Sequence, residues 1–299
     1  MVMAVLHPHA SEVEPRPPED PKGESHAIAR PILKIAGGKR QLLPQILPRV
    51  PETFGTYYEP MMGGAALFFH LWSVGRLDGQ ARVVLGDASP LLCELVTTVR
   101  DGVESVLPLL RAHERVHGKD HFLAVRDRLG KGNLAERAAD LLYLSRTCFN
   151  GLLRFSKSGR FNTPMGRYTN PRICPEDKLR ASSLALQSAE IVEGDFEKTC
   201  EDARPGDFVY FDPPYLPIRK TSSFVGYTKD GFSLDDHERL RALAARLKGQ
   251  GTHVLLSHSS AAPIREMYAA AFEIEEVSAR RSINAQVSGR GPVTELLIR

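Results

Sequence analysis

The chain has 299 residues, 42% hydrophobic and 25% charged, enough for one large or two modest domains around a substantial core. No apolar run approaches the ~20 residues needed to span a bilayer, which argues against a membrane protein, and a net charge of +3 is too small to select a partner by itself. Cys93, Cys148, Cys174 and Cys200 are far apart, with no C-x-x-C pair and no histidine at ligand spacing. That spacing argues against a disulfide framework and against a zinc site, and fits a reducing cytoplasm.

Residues 1–30 are rich in Pro, Glu and His, and their apolar run, residues 2–6, is too short for a signal peptide. They read as a disordered tail with no targeting role. A helix-like stretch follows at 41–48, then a strand around 56–58. The turn Glu59-Pro-Met-Met-Gly63-Gly64 opens an apolar helix over 65–72. Residues 82–86 read as another strand, closed by Asp87, and 90–100 as the next helix. Strand, glycine-rich turn, helix, strand and acid in that order make half of a doubly wound nucleotide-binding fold.

Residues 101–183 break the alternation and read as an inserted second domain. Helical spacing dominates first, as in 134–144, and a loop-rich stretch follows with Asn150-Gly151, Ser158-Gly159, Thr163-Pro164 and Asn170-Pro171. Between residues 146 and 180, eight Lys or Arg stand against two acids, Glu176 and Asp177, which marks this segment as the best candidate for a polyanion-facing surface. Alternation resumes at 190–195 and 207–211. Ser233 and Asp236 make a capping box for a helix carrying Leu240, Leu243 and Leu247, stopped by Gly249 and Gly251. Strands at 253–256, 272–279 and 293–298 complete the sheet, the last two as an antiparallel pair.

The chemistry concentrates at Phe211-Asp212-Pro213-Pro214-Tyr215, directly after an apolar strand. The exocyclic nitrogen of adenine is a poor nucleophile because its lone pair is delocalised into the ring. A carboxylate at Asp212 and a carbonyl at Pro213, each accepting one N–H, would hold that nitrogen closer to tetrahedral. Pro213 and Pro214 fix the backbone that presents them, and Tyr215 would stack on a base taken out of the helix. At Gly63-Gly64, backbone amides can approach a ligand closely. Asp87, at the end of the next strand, can accept both ribose hydroxyls of an adenosyl group. Gly37-Gly38-Lys39 is not a phosphate loop: Leu33 and Arg40 stand where that motif needs Gly and Ser or Thr. His70 and His113 read as core or helix-surface residues and Trp72 as core.

These residues together resemble the Dam-type, alpha-arranged DNA adenine-N6 methyltransferases. The resemblance spans residues 32–298. It rests on Lys34-Ile-Ala-Gly-Gly-Lys39, Tyr58-Glu-Pro-Met-Met-Gly-Gly64, Leu85-Gly-Asp87, Cys148-Phe-Asn-Gly-Leu152 with Arg154, and Gly159-Arg-Phe-Asn-Thr-Pro-Met-Gly-Arg-Tyr168. Asp212-Pro-Pro-Tyr215, Arg280-Arg281 and Thr294-Glu-Leu-Leu-Ile298 complete it. It implies an α/β, Rossmann-like S-adenosylmethionine-dependent methyltransferase sheet (residues 31–100 and 184–299) with an inserted, mainly helical target-recognition domain (101–183). It implies an S-adenosylmethionine pocket on Ile35, Lys39, Glu59, Gly63, Asp87 and Asp212, without a metal. It also implies a double-stranded DNA surface on Phe149, Asn150, Leu152, Arg154, Pro164 and Arg167. Phe149 would wedge into the duplex, and Asn150, Leu152, Arg154 and Pro164 would lie near the bases of a short palindrome, often GATC in such families. Arg154 can donate bidentately to guanine, Asn150 can pair an adenine edge, and Leu152 and Pro164 can meet a thymine methyl.

The chain departs from that pattern at Ile35, where an aromatic is usual, at Met61 and Ala65, where Phe and Gly are common, and at His258, where many members carry Asn. The expected protein is a cytoplasmic, nucleoid-associated monomer or weak dimer on DNA, with a cognate restriction endonuclease as a candidate partner. The rival readings are an inactive DNA-binding relative, or an amino methyltransferase acting on another base or on RNA.

Overall fold

The computed structural model describes residues 28–34, 38–77, 81–156, 158–216, 232–280 and 292–299. Ile35, Lys157, Arg281 and the tail up to residue 27 lie outside the described residues. A seven-stranded sheet forms the centre: β1 (Thr56–Glu59), β2 (Arg82–Asp87), β3 (Ala189–Glu193), β4 (Phe208–Phe211), β5 (His253–Ser259), β6 (Ile274–Arg280) and β7 (Pro292–Ile298). Their order is β3-β2-β1-β4-β5-β7-β6. The first five run parallel, while β7 is antiparallel to both β5 and β6. This is the Rossmann-like α/β sheet expected from the sequence.

The central strands read as continuous apolar runs because both faces are covered. Alternate residues serve alternate faces. Tyr57, Val83, Phe208 and Tyr210 join one hydrophobic cluster, and Tyr58, Val84, Val209 and Phe211 join the other. The first cluster takes α1 (Leu43–Ile46), α2 (Ala66–Ser73), α3 (Pro90–Arg115), α4 (Lys119–Arg128), α5 (Leu134–Thr147) and α6 (Glu176–Leu186). The second takes α7 (Phe196–Thr199), α8 (Leu234–Gly249) and α9 (Ala262–Tyr268). The capping box at the start of α8 is present: the Ser233 hydroxyl accepts from the Asp236 amide at 3.1 Å, and the Asp236 carboxylate accepts from the Ser233 amide at 2.9 Å.

The sequence boundaries shift in three places. The helix expected to stop at Arg100 continues to Arg115, bending at Gly102, whose φ and ψ of −154° and 41° are not helical. The edges of the expected insertion, at 100/101 and 183/184, therefore fall inside α3 and α6, and the helical block shares its core with the sheet. Within that block Asp140 is buried and ties α4 to α5 through Arg128 at 2.7 Å and to His113 at 3.1 Å. The disordered tail does not extend to residue 30: Ala29 is 2% exposed, and Arg30 exchanges two backbone hydrogen bonds with the Ser182 hydroxyl, at 3.2 and 2.7 Å.

Candidate active site and DNA-facing loop

The strand order reverses between β1 and β4, and open parallel sheets open a ligand crevice at the carboxyl ends of such strands. β1 ends on Glu59 and leads into the Gly63-Gly64 turn; β4 ends on Phe211 and leads into Asp212. The register Tyr57–Phe208 and Tyr58–Val209 brings the two ends side by side. Sheet topology alone therefore gathers residues some 150 positions apart.

Asp212 is at the centre of a polar network. Its Oδ1 pairs with the Lys39 ammonium at 2.8 Å and accepts from the Ser257 hydroxyl at 3.0 Å. Ser257 in turn meets the buried Tyr210 hydroxyl at 3.0 Å. The Lys39 ammonium also lies 4.4 Å above the centre of the Tyr215 ring. Tyr215 donates from its hydroxyl to Glu295 on β7 at 2.7 Å and stacks on His258, with ring centres 5.3 Å apart and planes 12° from parallel. Burial, with the negative charges of Asp212 and Glu295, holds the Tyr215 phenol well above its usual pKa, so it stays a donor. His258 is fully buried and meets His237 at 3.2 Å; burial pushes its pKa down to about 3 and that of His237 to about 4, leaving both neutral. Sequence reading treated His258 as a departure beside the site and did not select Ser257, Tyr210 or Glu295. Glu295 lies in the Thr294-Glu-Leu-Leu-Ile298 element and is an acid inside an otherwise apolar terminal strand, two signals that could have marked it.

On the other side of the crevice Asp87 braces the glycine turn. Its Oδ2 accepts from the Gly63 amide at 3.1 Å and its Oδ1 from the Ser89 amide at 2.9 Å. Burial raises its pKa, while the two N–H donors oppose that shift. Gly63 has φ +46°, and an added Cβ there would meet no atom of the described residues within 4 Å, so among these the turn borders open space. Ala65 also takes the left-handed conformation, φ 49° and ψ 44°, which costs an L-residue roughly 1–2 kcal/mol. That backbone is a physical reason for glycine in the family pattern at this position. Glu59 is committed to the fold on one oxygen: Oε2 accepts from the Tyr57 hydroxyl at 2.8 Å and the Phe68 amide at 3.2 Å. Burial raises its pKa from an ordinary 4.5 to about 8, with the Asp212 charge adding to the rise.

The expected DNA contacts all fall in one loop, residues 148–168. A short 3-10 turn, Phe149–Gly151, carries Phe149 outward at 40% exposure, with Asn150 at φ 55°. The Phe149 amide donates to the Pro164 carbonyl at 2.8 Å, so Phe149 and Pro164 share one edge. Gly151 is required where it stands: its φ is +67°, and a Cβ would come within 2.7 Å of the Lys34 carbonyl. Beyond it the backbone doubles back, with Phe155 bridging Phe161 and the Asn162 amide donating to the Arg154 carbonyl at 2.9 Å. Arg154 is exposed, its Nε on the Asn162 side-chain oxygen at 2.7 Å; Arg167 is exposed and Leu152 half-buried. The basic segment is less uniform than its charge suggested. Arg180 is paired with Glu104 and Glu176. Arg146 is turned inward to the Ile32 carbonyl, and burial pushes its pKa down to about 10.

Residues 36–283 match the family model for the D12 class N6 adenine-specific DNA methyltransferases. The chain belongs to this family. The D12 match runs from the start of the crevice through the loop to β6. Among curated relatives, the type II methyltransferase M1.LlaDCHI of Lactococcus lactis subsp. cremoris is 40% identical, covering 90% of this chain and 94% of its own. The type II methyltransferase M.MjaIII of Methanocaldococcus jannaschii is 35% identical over 90% and 98%. A DNA adenine methylase of Haemophilus influenzae is 32% identical over 90% and 92%. The D12 chain described here is thus an adenine-specific DNA methyltransferase. Among its described residues no helix is long and apolar enough to cross a membrane.

Proposed function

We propose that this enzyme moves the methyl group of S-adenosylmethionine to N6 of an adenine in duplex DNA, with Asp212 and the Pro213 carbonyl accepting the two amino hydrogens. The observation that carries this reading is the Lys39–Asp212 contact at 2.8 Å, made with the Lys39 ammonium over the Tyr215 ring. An N–H donor on that carboxylate, placed against that ring, is the arrangement the amino group of a stacked adenine needs. Lys39 therefore shares its seat with the target base, and must turn toward another anion when adenine enters. A carboxylate of the methyl donor would supply that anion.

The residues fit the donor. Asp87 is a half-buried carboxylate at a strand end, suited to a ribose, and the turn at Gly63 borders space for the rest of the molecule. Bound there, S-adenosylmethionine supplies an electrophilic methyl carbon. Asp212 orients the amino nitrogen so that its lone pair faces that carbon, and its negative charge opposes the positive charge growing on nitrogen. The nitrogen gains the methyl and the donor's sulfur keeps the electron pair of the broken bond. The amino proton then leaves to solvent. The products are N6-methyladenine and S-adenosylhomocysteine.

Phe149 would wedge into the stack while Arg154, Asn150, Leu152, Pro164 and Arg167 face the bases and backbone of a short palindrome such as GATC. Type II relatives bear names from restriction-modification, and a cognate endonuclease belongs to the same reading. The test is incubation of the purified enzyme with isotopically labelled S-adenosylmethionine and duplex DNA, followed by nucleoside analysis. Label in N6-methyldeoxyadenosine supports the reading. Label in N4-methyldeoxycytidine, or transfer to RNA alone, overturns it.

A further inference from the structure

Two stretches of chain leave one contact and arrive at one patch. Lys34 donates to the Tyr168 hydroxyl at 2.9 Å and lies 4.0 Å over its ring, directly behind the Phe149–Gly151 turn that packs on the Lys34 carbonyl. From that contact the chain runs back to Arg30 in one direction and on to Arg172 in the other. Each path is four residues, at most about 14 Å of extended backbone. Arg146 ties the two paths together beneath the surface, donating to the Ile32 carbonyl at 2.8 Å and the Arg172 carbonyl at 3.4 Å. Ser182 joins Arg30 to α6, bonding both the Arg30 backbone and the Lys178 carbonyl, at 2.7 Å in the latter case.

The cations gathered there form no salt bridge among the described residues, although the Glu114 carboxylate beside them accepts from the Ile173 and Cys174 amides. Arg82, Arg137, Arg239 and Arg299 elsewhere on the surface are held by carboxylates. Arg30, Arg40, Arg172 and Lys178 form no ion pair among the described residues, although Asp177 is next to Lys178 in sequence. Partial burial, and then the positive charges of Arg30, Arg172, Arg40 and Arg146, lower the Lys178 pKa, which places these cations within each other's field. Arg40, Arg172 and Lys178 are exposed and Arg30 is half-buried. Like charges held together without a partner raise the free energy of the isolated protein and are relieved by a polyanion.

We propose that Arg30, Arg40, Arg172 and Lys178 form a phosphate-contacting face for duplex DNA that flanks the target sequence, beyond the bases facing residues 148–168. This rests on the DNA reading above and extends its footprint. A B-DNA strand offers a phosphate every ~3.4 Å, so a reach of at most about 14 Å from the Lys34–Tyr168 contact spans at most roughly four base pairs. The face is blind to sequence: it adds affinity and salt dependence, and leaves the choice of bases to the loop.

The experiment measures binding of GATC-centred duplexes of 6 base pairs, closed as a hairpin, and of 24 base pairs by fluorescence anisotropy across salt. It compares wild type with an Arg172→Gln/Lys178→Gln variant and a charge-keeping Arg172→Lys/Lys178→Arg variant. Neutralising two phosphate contacts should flatten the slope of log affinity against log salt by about 1.8 on the long duplex. Between 50 and 200 mM salt, wild type should then lose about 12-fold more affinity than the Gln variant. The short duplex should bind both alike, and the charge-keeping variant should keep the wild-type slope. Wild-type affinity that gains nothing from the added length, or a Gln variant with an unchanged slope, overturns the proposal. So does an equal loss on both duplexes. Plasmid methylation by the wild type is scored alongside: its absence would sink the functional reading itself, whereas its presence with unchanged slopes sinks only the flanking face.

Discussion

At the end of β4 the polar side chains answer one another: Lys39 on Asp212, Ser257 between Asp212 and Tyr210, Tyr215 between Glu295 and His258. In the loop of residues 148–168 it is mainly the backbone that answers itself, and Phe149, Arg154, Pro164 and Arg167 are exposed. Buried polar groups need internal partners because an unmade hydrogen bond there costs about 1–3 kcal/mol. Exposed groups can wait for a partner that arrives. The contrast suggests a division of labour: geometry for the reaction is set before DNA arrives, and geometry for recognition is completed on it.

The strongest way to break that contrast is to remove the central acceptor. Asp212→Ala should lower the single-turnover methylation rate by roughly 10²–10³-fold, the usual range for losing one preorganised hydrogen-bonding group at the reacting centre, while DNA affinity stays within about threefold because the proposed duplex contacts lie on other residues. A variant that keeps a tenth of the wild-type rate would remove Asp212 from the chemistry.

Next in size is a pH effect on the catalytic side. The Glu59 pKa is raised from 4.5 to about 8, so the folded protein holds a proton that the unfolded chain has released over that interval. Its contribution to stability is complete below pH 4.5 and is lost as pH rises through 8. Glu59→Gln keeps a side-chain acceptor for Tyr57 and Phe68 and does not titrate. The variant should gain on wild type by on the order of 3 kcal/mol between pH 5 and pH 8.5 in urea denaturation. A constant difference across that range would show that Glu59 titrates normally.

On the donor side, Asp87→Ala should weaken S-adenosylmethionine binding by about 1.5–3 kcal/mol, the range for a hydrogen bond to a charged group. Calorimetry with unchanged affinity would move the ribose contact elsewhere. On the recognition side, Arg154→Ala should cost about 1–3 kcal/mol on the cognate duplex and relax discrimination at one base pair. Equal losses on the cognate duplex and on every single-substituted variant would make Arg154 a backbone contact.

The same division explains what the sequence could show. Strands β1, β2 and β4 were legible because apolar runs buried on both faces leave a local signature, as did the α8 capping box. Asp212, Asp87 and Gly63 were legible because each closes or follows such a run. The partners of Tyr215 were not: Glu295 is 80 residues away and meets it only because β7 inserts between β5 and β6. Charge was legible and its use was not. Arg146 and Arg180 carry the same sign as Arg154, yet one is turned to backbone carbonyls and the other to carboxylates, and only packing decides which. The long α3 was cut short at Arg100 because the alternation of strand and helix breaks there, while in the fold the helix carries on past a bend at Gly102 to Arg115.

The account rests most heavily on adenine N6 as the acceptor and on separable chemistry and readout. Methylation-reading sequencing of plasmid DNA from cells expressing wild type, Asp212→Ala and Arg154→Ala tests both at once. Wild type should place N6-methyladenine at one short palindrome, Asp212→Ala should place none, and Arg154→Ala should spread the mark to sites differing at one base pair. Methyl groups on cytosine, or an Asp212→Ala strain still modified at every wild-type site, would contradict the account.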